Sequence, residues 1–126
     1  MQSEFIDKEL LIHRLKKIIF MIDEVSNDLA KISFEDFKKS SVIIRASCFS
    51  LSQIGETMNN IEKKIGKAYP NIPWKNARDM RNLLVHDYDH VNEEIVYKTS
   101  KEDLPLLKKS LLALIDDLEK GLEIPC

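Results

Sequence analysis

The chain has 126 residues, 44% hydrophobic and 32% charged, with three glycines and four prolines; this favours helices over turn-rich β structure, and the length fits one domain, residues 1–126, around a single core. A formal net charge of −2 at pH 7 excludes a general polyanion-coating protein, which would need a basic surface to neutralise many phosphates, and leaves nucleic acid as a substrate only where cations gather in a local pocket. Cys48 and Cys126, with no second cysteine near either, exclude a zinc knuckle and a disulfide framework.

Along the chain, Ser3 reads as the N-cap of a first helix that runs to about Lys31. Acidic Glu4 and Asp7 follow it, and Ile6, Leu10, Leu11, Leu15, Ile18, Ile22, Val25 and Leu29 recur at helical spacing. The opening residues lack a basic stretch followed by an apolar run, and no window approaches the ~20 apolar residues of a membrane span, so a cytoplasmic protein is expected. Ser33, with Glu35 and Asp36 behind it, starts a second periodic segment through Ile43, Ile44, Phe49, Ile54, Met58, Ile61 and Ile65, with a break expected near Ser40 and Ser41. Cys48 lies in this apolar stretch and reads as core. Gly66, Pro70, Asn71 and Pro73 mark a loop.

Trp74 opens a shorter helix to about His86, followed by a turn over Asp87 to Val91. Asn92 then caps a helix with Glu93 and Glu94 in its first turn. Asp103 and Pro105 mark one more start, and Leu106, Leu107, Leu111, Leu112, Leu114, Ile115 and Leu118 carry it to Gly121 as its stop. The sum is an all-α, antiparallel bundle of four to five helices with short connections. The Leu and Ile stripes belong to its core, and one of them can also serve a dimer face.

The chemistry concentrates in residues 74–90, WKNARDMRNLLVHDYDH. Cleaving RNA without a metal needs a base for the 2′-hydroxyl proton, an acid for the departing 5′-oxygen, and a cation for the charge developing on the phosphoryl oxygens. His86 titrates near neutrality and can carry the proton, while Arg81 offers a planar fork to two phosphate oxygens and Tyr88 adds a phenol. On one regular helix Arg81 and His86 would stand ~140° apart, and Tyr88 ~10 Å along the axis from Arg81. The three converge only if the helix ends near His86 and the chain swings back, if two copies share the site, or both. Spacing alone also permits a surface arginine beside a helix-terminal histidine.

Arg81, Asn82 and His86 resemble the R-x4-6-H motif of the HEPN superfamily, and Asp87 with Tyr88 extends it to the H-x-Y form of HepT toxins. The triplet Ile54-Gly55-Glu56, the approach from Tyr69-Pro70 to Pro73-Trp74, the run MRNLLVH and the Asp103-Leu104-Pro105 break are similar to that family in order and spacing, so the resemblance covers nearly the whole chain. It implies a homodimer whose motifs face each other and cut RNA without a metal or other cofactor. It further implies a toxin–antitoxin pair, in which a small nucleotidyltransferase encoded alongside attaches AMP to the motif tyrosine, here Tyr88. The added phosphodiester would bring negative charge to Arg81 and bulk to the phosphate pocket. Whether Tyr88 is catalytic, an anchor for phosphate or solely the modified residue stays open. Thr57 departs from the small apolar residue expected after Gly55-Glu56.

Arg45 and Glu56, eleven residues apart, can share a helix face, and Glu56 can pair with Arg78 or Arg81 and orient it. Asp87 can orient His86 or face solvent, while His13 and His90 read as solvated or structural. The alternative function is a non-catalytic HEPN module that binds a nucleotide or a partner protein, since fold alone does not dictate activity.

Overall fold

A computed structural model describes residues 7–82 and 92–121. Helix α1 spans Lys8–Leu29 and begins on Asp7, whose extended backbone turns its carboxylate to accept from the Leu10 amide at 3.1 Å. Asp7 is thus the cap of α1, where the sequence had placed it inside the first turn; its oxygen satisfies one of the amides that a helix start leaves unpaired. Ser3, the expected cap, lies outside the described residues. Ser33 caps the short α2, Phe34–Lys38, by accepting from Asp36, and Ser40 caps α3, Ser41–Ile65, by accepting from Ile43. The expected break at Ser40 and Ser41 is therefore a corner with a defined hydrogen bond.

After α3 the chain turns back over Trp74, whose buried indole donates to the Tyr69 carbonyl at 2.9 Å and ties the Pro-rich loop to the start of α4, Trp74–Arg81. Asn92 caps α5, Glu93–Lys98, by accepting from Ile95 at 3.1 Å. The path then stays helical. Thr99–Asp103 form a π-helical turn that passes directly into α6, Leu104–Glu119, and Asp103 caps nothing with its side chain. The start expected at Asp103 and Pro105 is in this respect a wider turn within one rod. Its cause is Pro105, which has no N–H to offer and whose ring would crowd the carbonyl four residues back; widening the turn lets Leu104 donate to Thr99, five residues back, and relieves that crowding. Gly121, at φ +83°, ends α6 in the left-handed conformation that glycine adopts without strain.

Lys101 donates to the Leu29 carbonyl, Lys108 pairs with Asp23, and Lys16 lies 3.7 Å from Glu119. Those contacts run in opposite order along α1 and α6, so the two helices are antiparallel. Counting α5, the π turn and α6 as one rod, the described residues form five helical rods without a strand. Their common core joins Leu15, Ile18, Ile22 and Leu29 of α1 to Cys48, Leu51, Ile54, Met58 and Ile61 of α3 and to Leu104, Leu111 and Leu118 of α6. Cys48 is fully enclosed, and burial pushes its thiol up from the ordinary cysteine range, as befits a packing residue. Phe34 and Phe37 pack on the Tyr97 ring, and the Tyr97 hydroxyl donates to Ile32, so α2 clamps the end of α1 to α5.

Four stripe residues expected inward point out. Phe49 is 60% exposed, Leu106 63% and Leu112 48%, with Leu10 on the margin at 40%. Helical periodicity places them beside the core without deciding which edge of the stripe is covered. Among the described residues no helix is long and apolar enough to cross a membrane.

Candidate active site

Arg81 is the last residue of α4. The Asn82 amide bonds back to Asp79 rather than four residues back, so the α-helix tightens at its end; the rest of the span to the expected end at His86 lies outside the described residues. Arg81 stands at this helix end with its side chain 42% exposed, and Asn82 beside it is exposed as well. His86, Asp87, Tyr88 and His90 lie outside the described residues. His13 is exposed on α1, as expected of a solvated histidine.

What holds Arg81 is α3. Gly55 is buried where α4 crosses, and a Cβ built on it would stand 2.4 Å from the Arg81 amide nitrogen and 2.8 Å from the Ala77 carbonyl oxygen. Only a residue without a side chain lets the two backbones touch there. A glycine inside a helix costs about 0.5–1 kcal/mol relative to alanine, and here the cost is offset by the packing that fixes the end of α4.

Beside this contact, α3 offers two carboxylates to the two arginines of α4. Glu56 lies 3.6 Å from Nε of Arg81, and Glu62 accepts a hydrogen bond from Nη1 of Arg78. That bond, with the charge of Glu62, holds the Arg78 guanidinium even more firmly protonated than usual. Of the two partners considered for Glu56, the structure therefore gives it Arg81. Both members of that pair are about half exposed, so its contribution to stability is small. Its closest approach is at Nε, and a guanidinium can present its two Nη nitrogens as parallel donors to a phosphate.

The positions of Gly55 and Glu62 in this arrangement had not been singled out individually. A signal was present, because a glycine in the middle of an apolar-periodic helix calls for a packing reason, and Glu62 follows it by two helical turns on the same face. Among the described residues no group of three or more His, Cys, Asp or Glu side chains is placed to hold a metal ion.

A family model for HepT-like ribonucleases matches residues 4–114. The chain belongs to the HepT-like ribonuclease family. It is 36% identical over 103 residues, 82% of this chain and 88% of the relative, to a protein of Caldanaerobacter subterraneus subsp. tengcongensis named as a candidate RNase. A candidate RNase of Methanocaldococcus jannaschii is 34% identical over 84% of this chain and 91% of its own length. A Thermococcus cleftensis protein named as a candidate ribonuclease HepT is 37% identical over 75% of this chain and 86% of its own. No solved structure is significantly similar. Membership of the HepT-like family supports a ribonuclease function, and the matched span contains Gly55, Glu56, Arg81, Asn82, His86 and Tyr88 alike.

Proposed function

We propose that this HepT-like chain is a metal-independent endoribonuclease, the toxin of a toxin–antitoxin pair, in which Arg81 and His86 act on one phosphodiester. The observation that carries the reading is the mounting of Arg81: a half-exposed guanidinium at a helix end, its backbone seated on Gly55 and its Nε beside Glu56. His86 takes the 2′-hydroxyl proton or protonates the leaving 5′-oxygen, and attack of the 2′-oxygen on phosphorus yields a cyclic phosphate and a free 5′-hydroxyl. Arg81 stabilises the charge that grows on the non-bridging oxygens, Asn82 supports substrate binding from the adjoining position, and Glu56 orients Arg81. Tyr88 lies in the same motif and is the residue that a cognate minimal nucleotidyltransferase would modify with AMP.

The test uses purified protein and single-stranded RNA in excess EDTA. Cleavage is expected, and it should stop after incubation with ATP and the small nucleotidyltransferase encoded next to the gene, unless Tyr88 is replaced by Phe. If the wild type cuts nothing across a broad RNA panel, the non-catalytic binding module takes its place.

A homodimer is part of the same proposal, supported by the outer face of α3. Val42 is 66% and Phe49 60% exposed, with exposed Ala46 between them. Seven-residue steps put Val42, Phe49 and Glu56 within about 40° of one another around the axis, so the apolar stripe leads straight to the carboxylate beside Arg81. A second copy seated on Val42, Ala46 and Phe49 would bury that stripe and bring the two Arg81 sites toward a shared cleft. Phe49→Glu is expected to convert a dimer to a monomer in sedimentation velocity while the helical circular dichroism stays the same. A Phe49→Glu protein that remains dimeric would remove α3 as the subunit contact.

A further inference from the structure

We propose that the groove between α1 and α3 is a second phosphate-binding subsite, taking the RNA backbone next to the bond that is cut. The proposal rests on the ribonuclease reading and extends it to how a net-negative protein captures a polyanion. The groove encloses about 250 Å³ and is lined by Arg14, Lys17, Ile18 and Met21 of α1 and by Gln53 and Thr57 of α3. Two cations and two neutral hydrogen-bonding side chains meet there over an apolar floor, with no carboxylate in the lining.

Charge placement along α1 is unusual. Arg14 and Lys17 stand three residues apart and share a face, and like charges at that spacing repel. Their helical neighbours three and four positions away are Leu10, Leu11, Ile18, His13, Phe20 and Met21, none of them acidic. Some lysines elsewhere do have acids, as Lys16 faces Glu119, Lys75 Asp79 and Lys108 Asp23. Among the described residues no ion pair involves Arg14 or Lys17. Two adjacent cations opening on a groove of neutral donors suit an anion with several oxygens; a guanidinium takes two of them, and the ammonium and the Thr57 hydroxyl take single ones.

The groove also sits on the right flank of the candidate active site. Around the α3 axis Gln53 lies ~60° and Thr57 ~100° from Glu56 on one side, while Gly55, which seats Arg81, lies ~100° away on the other. Arg81 and the groove therefore flank one exposed ridge that carries Glu56. A single strand laid across that ridge would put one phosphate at Arg81 and a neighbouring one between Arg14 and Lys17. Thr57, the residue that departs from the expected small apolar type, then has a use as a hydroxyl donor.

The experiment measures steady-state cleavage of a fluorescein-labelled single-stranded RNA by full-length protein across a series of salt concentrations. For Arg14→Ala/Lys17→Ala, KM should rise on the order of tenfold with kcat within about twofold, and the slope of log affinity against log salt should shrink by about 0.7, the value for one phosphate contact on a single strand. Lys17→Ala alone, at an exposed side chain, should remove about half of that slope change, and Arg14→Lys/Lys17→Arg should keep the wild-type slope. Wild-type KM and slope in the double variant would overturn the subsite and leave the ribonuclease standing. So would a loss confined to kcat, or a double variant that has become monomeric. A wild type that neither binds nor cuts RNA would instead overturn the ribonuclease reading, and the subsite with it.

Discussion

Arg81→Ala is expected to lower kcat for RNA cleavage by about 10²–10³-fold, the usual loss when one preorganised donor to a developing oxyanion is removed. His86→Ala should lose about 10²–10⁴-fold, as for a positioned general acid or base. Both should leave subunit assembly and helical content intact. Arg81 is half exposed and its ion pair with Glu56 is solvated, so unfolding free energy should change by less than about 1 kcal/mol. Arg81→Lys should recover only part of the rate, because an ammonium keeps the charge but lacks the fork. Glu56→Gln separates positioning from chemistry: it should reduce kcat by less than Arg81→Ala does, and full cleavage by that variant would remove Glu56 from the site. Equal kcat in Arg81→Ala and wild type would dismiss Arg81 as the phosphate-stabilising group.

The second large effect belongs to a residue with no side chain. Gly55→Ala places a methyl group 2.4 Å from the Arg81 amide nitrogen and 2.8 Å from its Cα, closer than packed atoms tolerate. Both neighbours are backbone, so relief requires α4 to move as a unit. In an exposed helix the same replacement would stabilise by about 0.4–1 kcal/mol. Here it should destabilise by about 1–3 kcal/mol, the range for forcing extra carbon into a packed contact, and lower the midpoint of urea unfolding. Moving the end of α4 also moves Arg81, and a displacement of about 1 Å can cost on the order of 10²-fold in rate. Wild-type stability and wild-type cleavage in Gly55→Ala would show that the contact between the two backbones is not needed.

Much of the fold was legible because helix starts carry their own chemistry. Ser33 and Asn92, read as helix starts, and Ser40, read only as a break, each accept an amide three residues on, and a small polar residue ahead of an apolar-periodic run announces that bond. The inward positions Ile44, Cys48, Ile54, Met58, Ile61 and Ile65 of α3 followed from the apolar pattern, while Ser47 and Leu51, also buried, were not read from it. The outward place of Phe49 did not follow from it either, because a stripe one residue too wide looks the same whether a neighbouring helix or another subunit covers its edge. The π turn escaped for a related reason: Pro105 announces a disturbance in hydrogen bonding, yet a break and a widened turn answer it equally well. At the site, the motif residues were read from resemblance, whereas the choice between Arg78 and Arg81 as the partner of Glu56 needed coordinates, since the two arginines are less than one turn apart on α4.

The widened turn at Thr99–Asp103 also sets an angular phase. Val96, Ser100 and Leu104 are all buried although they recur every four residues, a spacing that drifts around an ordinary helix by ~40° per step and is held on one side by a turn with more residues in it. Removing a single residue from this stretch would rotate α5 relative to α6 by roughly 100°, carrying Tyr97 away from Ile32 and re-aiming Asn92, the cap of α5. Residue identity here is negotiable in a way that residue count is not, so length variants between Thr99 and Asp103 should be far less tolerated than substitutions at the exposed position Glu102.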